Sequence, residues 1–266
     1  MIISIIIPCF NEEDTIHLYY TAMESVRTQM QEDFEYIFIN DGSSDNTLEV
    51  LRELSTATEN VSYLSFTRNF GKEAALYAGL KESTGEYVTV MDCDLQDPPE
   101  MLIQMKQMLD NDAELDCVGT RRVSREGEPP IRSFFASMFY KIVNRISQVE
   151  MVDGARDYRL MRRKMVNAVL EVSEYNRFSK GIFAWVGFHT EYLEYKNVER
   201  VAGKTSWDFW SLFKYSIEGI VNFSETPLNI ALVGGIFSCV LAFIMMLFIF
   251  VRTLLFGNPT SGWTSI

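Results

Sequence analysis

The residues of this chain best suited to chemistry are Asp92, Asp94 and Gln96, in Val88-Thr89-Val90-Met91-Asp92-Cys93-Asp94-Leu95-Gln96-Asp97-Pro98-Pro99-Glu100. Two carboxylates and an amide oxygen so spaced suit a hard divalent cation, Mg2+ or Mn2+. Such a cation keeps several waters and takes one or two carboxylates together with substrate phosphates. The same triplet also fits a solvated acidic turn, so its meaning depends on the elements that carry it.

The run before Asp92 is apolar and β-branched without clean alternation, which predicts a buried parallel strand. Pro98-Pro99 turns the chain away and can open a helix at Glu100. The three side chains then stand at a strand end, where open α/β sheets bind ligands. Upstream, Ile2–Ile7, Tyr36–Ile39 and Val61–Phe66 read as further strands. Each is followed by a polar turn and a helical stretch, reaching about Gln29, Thr56 and Lys81 respectively. This βαβ repetition predicts a doubly wound, mostly parallel sheet. Asp41, at the second strand end, can accept hydrogen bonds from a base N–H, whereas Ser44 and Asp45 read as local caps. There is no Gly-x-Gly-x-x-Gly after the first strand and no Gly-Lys-Ser/Thr, which excludes a typical dinucleotide fold and a P-loop. A nucleotide bound here would need its diphosphate neutralised mainly by the cation at Asp92 and Asp94.

A net charge of −12 argues against a nucleic-acid partner. Cys9, Cys93, Cys117 and Cys239 share no metal-type spacing and read as buried thiols of a reducing compartment. Met1–Ile7 is too short for a signal-peptide core and lacks a basic flank. Leu228 to Val251 contains no Asp, Glu, Lys, Arg or His. At about 1.5 Å per residue this run spans a hydrocarbon core of roughly 30 Å, so a transmembrane helix closed by Arg252 is expected.

Ile7-Pro8-Cys9-Phe10-Asn11-Glu12-Glu13, residues 40–47 (Asn-Asp-Gly-Ser-Ser-Asp-Asn-Thr), 68–72 (Arg-Asn-Phe-Gly-Lys) and 91–100 together resemble the inverting family 2 glycosyltransferases of GT-A fold. The subgroup resembled acts on polyprenyl phosphates: dolichyl-phosphate mannose synthase and the bactoprenol glucosyltransferases. The likeness runs from Met1 to about Trp207. It implies that Pro8, Phe10, Glu12, Ile39 and Asp41 form the base and ribose pocket of a sugar nucleotide. Asp92, Asp94 and Gln96 become the metal ligands, with the Cys93 backbone beside the donor. Arg121 and Arg132 match positions that hold the acceptor phosphate, a suitable task for forked guanidinium groups. Asp157, in Gly154-Ala155-Arg156-Asp157-Tyr158-Arg159, matches the catalytic-base aspartate. A polyprenyl monophosphate is already an anion near neutral pH, so positioning is an equal role for Asp157. Arg200 matches a contact to the donor diphosphate. The lysine usual at position 206 is Ser206 here, and Lys204 stands two residues earlier.

The expected organisation is a catalytic domain over 1–205, an amphipathic interfacial helix over 206–226, the transmembrane helix over 228–251, and a loop with the start of a second, truncated transmembrane helix over 252–266. Trp207, Trp210, Phe213, Ile217, Ile220 and Val221 form the apolar stripe of that interfacial helix. A second stripe, Phe135, Met138, Phe139, Ile142 and Ile146, fits a core helix and an interfacial helix equally. The chain stops near Gly262-Trp263, where a second membrane helix begins in bactoprenol relatives, so a fragment is expected. The reading is hexosyl transfer, glucose from UDP-glucose, to polyprenyl phosphate at the cytoplasmic face of the plasma membrane. UDP-N-acetylhexosamine and GDP-mannose remain open as donors, and Gly234-Gly235 leaves homo-oligomerisation open. Two alternatives fit the same residues: transfer to a polysaccharide or other non-lipid acceptor, and a non-catalytic scaffold that binds nucleotide sugar.

Overall fold

The fold is described from a computed structural model that covers residues 1–123, 138, 141, 143–147, 149, 151–174, 176–195, 217 and 220–257. Among these residues, seven strands form one sheet: β1 (Ile2–Cys9), β2 (Asp33–Asn40), β3 (Val61–Ser65), β4 (Tyr87–Val90), β5 (Cys117–Arg122), β6 (Ala155–Arg162) and β7 (Thr190–Tyr195). Their spatial order is β3-β2-β1-β4-β6-β5-β7. Neighbours are parallel except for β6, which runs antiparallel to both β4 and β5. The expected parallel sheet is thus present, and the antiparallel β6, which the βαβ pattern did not predict, is an addition to it.

The helices whose bounds fall among the described residues are α1 (Ile16–Met30), α2 (Thr47–Ala57), α3 (Lys72–Glu82), α4 (Met101–Asn111), α5 (Arg163–Glu171), α6 (Ser179–Trp185) and α7 (Thr226–Phe256). Alternation along each strand divides the core in two. Ile3, Ile5 and Ile7 of β1 face a cluster shared with Tyr19 and Met23 of α1, Leu51 of α2 and Leu102 of α4. Ile6 faces the other side, where Ala75 and Leu76 of α3, Val166 of α5 and Phe183 of α6 pack. Helices therefore cover both faces, as strands buried on both sides require.

The chain divides into two units, 1–223 and 224–266. In the second, α7 has a mean hydropathy of 2.7 over its most apolar stretch and buries none of its residues. It is long and apolar enough to cross a membrane, by length and composition. Arg252 does not end it: the helix runs on to Phe256, because Thr253, Leu254 and Leu255 are compatible with another turn. Cys9, Cys93 and Cys117 are buried as expected, but Cys239 is exposed along α7.

Candidate active site

β4 stops at Val90, one step short of the sequence-based expectation, although the Met91 N–H still donates to Ile6 O at 3.0 Å. The turn that follows is held by its own side chain. Asp94 Oδ1 accepts the Gln96 N–H at 3.1 Å, and Leu95 between them adopts a left-handed φ of 57°. A residue with a Cβ pays about 1–2 kcal/mol there, which the clasp and the surrounding packing must offset. Asp94 is 3% exposed, whereas the Asp92 side chain is 29% exposed. The Cys93 side chain points inward, its sulfur 3.8 Å from that of Cys9, so only its backbone is available to a ligand.

The antiparallel course of β6 brings a further carboxylate to this turn. Val90 pairs with Arg159, and two more steps along that register carry Asp157 beside Asp92. Lys72, the first residue of α3, joins them. Its Nζ lies 2.7 and 2.9 Å from the two oxygens of Asp92 and 2.8 Å from Asp157 Oδ2. Burial disfavours the Lys72 ammonium, but Asp157 and Asp92 outweigh it and raise its pKa well above the ordinary lysine value. Burial likewise works against the Asp157 carboxylate, yet Lys72, with Lys180 and Arg159, holds its pKa below the usual carboxylate range. Asp157 Oδ1 is buried and has no hydrogen-bond partner among the described residues. Sequence reasoning quoted Lys72 within its motif but assigned it no task. Its position immediately after Gly71, at a helix start, was the available signal.

The turns after β1 and β2 are stitched together. Asn11 Oδ1 accepts the Ser44 N–H at 2.8 Å, and Glu13 Oε2 accepts the Asn46 N–H at 2.9 Å. The Glu12 N–H donates to Thr47 Oγ1 at 2.9 Å, and Glu12 Oε2 accepts from Thr15 Oγ1 at 3.0 Å. Asp45 accepts the Thr47 N–H at 3.0 Å, the local role expected of it. Asp41 accepts the N–H groups of Phe70 and Gly71 at 2.7 and 2.9 Å, and so fastens the loop that leads to Lys72. Burial raises its pKa, and these two bonds counter the shift only in part. Gly42 has φ +66° and lies under that loop, where a Cβ would meet the Arg68 carbonyl carbon at 2.3 Å. Phe10 is exposed and Pro8 is half-buried. Ile39 is fully buried in the core over α3, so only its backbone is available to the pocket that the resemblance implies.

Arg121 lies within β5. Its Nε donates to Asp153 O at 3.0 Å, and its guanidinium is 3.5 Å from Glu194 while remaining 42% exposed. A polar knot that the sequence did not suggest lies behind the turn. Asp97, 3% exposed, takes the Arg156 guanidinium at 3.3 Å and the Tyr195 hydroxyl. It thereby ties the turn to β6 and β7. Arg132, Arg200 and Lys204 lie outside the described residues, as do Trp207, Trp210 and Phe213.

Among the described residues, no three His, Cys, Asp or Glu side chains gather to hold a metal ion unaided. Asp92 and Asp94 are nonetheless hard oxygen donors on one turn. That set fits a cation that completes its shell with substrate phosphates and water.

A family model described as glycosyl transferase family 2 matches residues 4–170. The chain belongs to this family. As a family 2 glycosyltransferase it is similar along its whole length to a putative glycosyltransferase, CsbB, of Bacillus subtilis, with 42% identity over 80% of that protein. It is 38% identical to the bactoprenol glucosyl transferase of Shigella phage SfX, again over the whole chain and 87% of the relative. A prophage bactoprenol glucosyl transferase homolog of Escherichia coli is also 38% identical, over 86% of its length. Among solved structures, a Pyrobaculum calidifontis mannosyltransferase in complex with GDP-Man and Mn2+ superposes with a TM-score of 0.59 at 17% identity, covering 83% of this chain and 63% of that one. Glucosyl-3-phosphoglycerate synthase from Mycobacterium tuberculosis, in complex with Mn2+, UDP-Glc and phosphoglyceric acid, gives 0.54 at 18%, covering 82% and 77%. These two share the GT-A fold with the family 2 glycosyltransferase described here.

Proposed function

We propose that this glycosyltransferase moves glucose from UDP-glucose to a polyprenyl phosphate at the cytoplasmic face of the plasma membrane, with inversion at the anomeric carbon. The observation that carries the reading is the junction of Asp92 and Asp157 on one ammonium. It joins the strand-end turn suited to a donor diphosphate to a strand from the other half of the sheet. The similarity to bactoprenol glucosyl transferases supports the lipid acceptor, and α7 supplies an apolar segment suited to anchoring.

In this scheme the acceptor phosphate attacks from the side opposite the departing diphosphate. It carries its own negative charge, so Asp157 orients the acceptor rather than removing a proton. Arg121 and Arg132 grip its oxygens. Pro8, Phe10, Glu12 and Asp41 border the base and ribose, and Arg200 and Lys204 meet the diphosphate. Asp92, Asp94 and Gln96 would hold Mg2+ or Mn2+. When bound, that ion supplies Lewis-acid stabilisation of the leaving diphosphate.

The test incubates membranes containing the protein with Mn2+ or Mg2+, undecaprenyl phosphate and a panel of radiolabelled UDP- and GDP-sugars, Asp94→Ala alongside. Label from UDP-glucose should enter the organic phase and fall by about a thousandfold in the variant, on the scale of losing a main electrostatic group. Label extracted from a different sugar would replace the donor. Label appearing only on a soluble acceptor would replace the lipid.

A further inference from the structure

The loop between β3 and α3, fastened by Asp41, delivers one ammonium between two carboxylates. Asp92 and Asp157 come from β-elements that converge at one sheet edge, and like charges so close repel unless something lies between them. Lys72 Nζ makes three contacts of 2.7–2.9 Å, two to Asp92 and one to Asp157. Both Asp92 oxygens, the atoms a divalent cation would need, are thus already taken by a cation belonging to the protein. Lysine suits an exchange of partners, because its three donors sit on a flexible stem and it can release one carboxylate while keeping another. The anchoring behind it is firm: Glu73, next along α3, accepts the Ser179 N–H at 3.0 Å.

We propose that Lys72 is a resident counter-cation of the donor site, competing with the divalent metal for Asp92 and remaining on Asp157 once the metal has taken Asp92. Lys72 is then a positioning residue: it keeps the site closed and neutralised before the donor arrives, and afterwards keeps Asp157 aimed at the acceptor. The proposal rests on the reading that Asp92 is a metal ligand.

The test measures Mn2+ binding to the full chain in detergent, without donor, through loss of the free-ion EPR signal. Lys72→Met should bind Mn2+ about tenfold more tightly than the wild type, the scale of one partly buried charge pair. Lys180→Met is the control. Lys180 also acts on Asp157 electrostatically, but no contact joins it to Asp92, so its Mn2+ affinity should stay within about twofold of wild type. Glucosyl transfer by Lys72→Met should fall despite the tighter metal. Lys72→Gln replaces the methionine variant if that one does not fold. Equal affinities for wild type and Lys72→Met would overturn the proposal, as would equal tightening by Lys180→Met, which would reveal a diffuse charge effect. Absence of Mn2+ binding in every protein would overturn the metal reading and the proposal with it. The expected Mn2+ series together with no lipid-extractable label would leave the proposal standing and overturn the lipid acceptor.

Discussion

The turns after β1 and β2 and the knot around Asp97 are both polar and both rigid, but they are built differently. In the first, short side chains reach backbone N–H groups about one βα unit away: Asn11 to Ser44, Glu13 to Asn46, Asp41 to Phe70 and Gly71. In the second, long cationic and phenolic side chains close on one buried carboxylate from far along the chain, Arg156 and Tyr195 on Asp97. Losing a member of the first net frees backbone groups that water can still reach. Losing Asp97 strands a partly buried guanidinium and a hydroxyl that both converge on a 3% exposed carboxylate. The second arrangement is therefore the more brittle, and Asp157 sits one residue from its Arg156.

Asp97→Ala is the strongest way to test that contrast. It should cost about 3 kcal/mol, the penalty for stranding a partly buried charged partner, and lower Tm while also reducing transfer. A loss under about 1 kcal/mol in denaturant unfolding would place the knot on a par with a surface pair. Asp41→Ala should cost about 2 kcal/mol, from two charge-assisted bonds to Phe70 and Gly71. Because that loop carries Lys72, its transfer rate should fall more than its stability. A drop in stability with unchanged transfer would detach the loop from the chemistry. Asn11→Ala should have the smallest effect, about 1 kcal/mol, combining a lost bond with a left-handed φ of 57°. Asn11→Gly separates the two: it restores the backbone freedom, so any deficit left belongs to the Ser44 contact.

The two regions also differ in how readily they were seen in advance. Strand ends, Asx-type turns and the Pro98-Pro99 break are governed by neighbours a few residues apart, so Asp92, Asp94 and Asp41 were placed at one sheet edge from spacing alone. Ile39 belongs to the expected pocket by resemblance, yet its side chain is buried in the core. A strand residue faces cleft or core according to the pleat and the helix above it, and α3 covers that face. Thr120-Arg121-Arg122 is polar enough to pass for a turn in sequence. The pairing of β5 with both β6 and β7 extends the strand through it.

The sequence by itself determined the βαβ framework, the family and the long apolar segment of α7. Each follows from period, composition or contiguous motifs, which are local properties of a chain. The tertiary structure alone decided that β6 would run antiparallel between β4 and β5, and hence that Asp157 would stand beside Asp92. It also decided that Lys72 would lie between them and that Asp97 would gather Arg156 and Tyr195. These partners are separated by tens of residues, and a charge does not announce its counter-charge in sequence. Only the closing of the sheet brings them within the few ångströms over which an ion pair or a hydrogen bond acts.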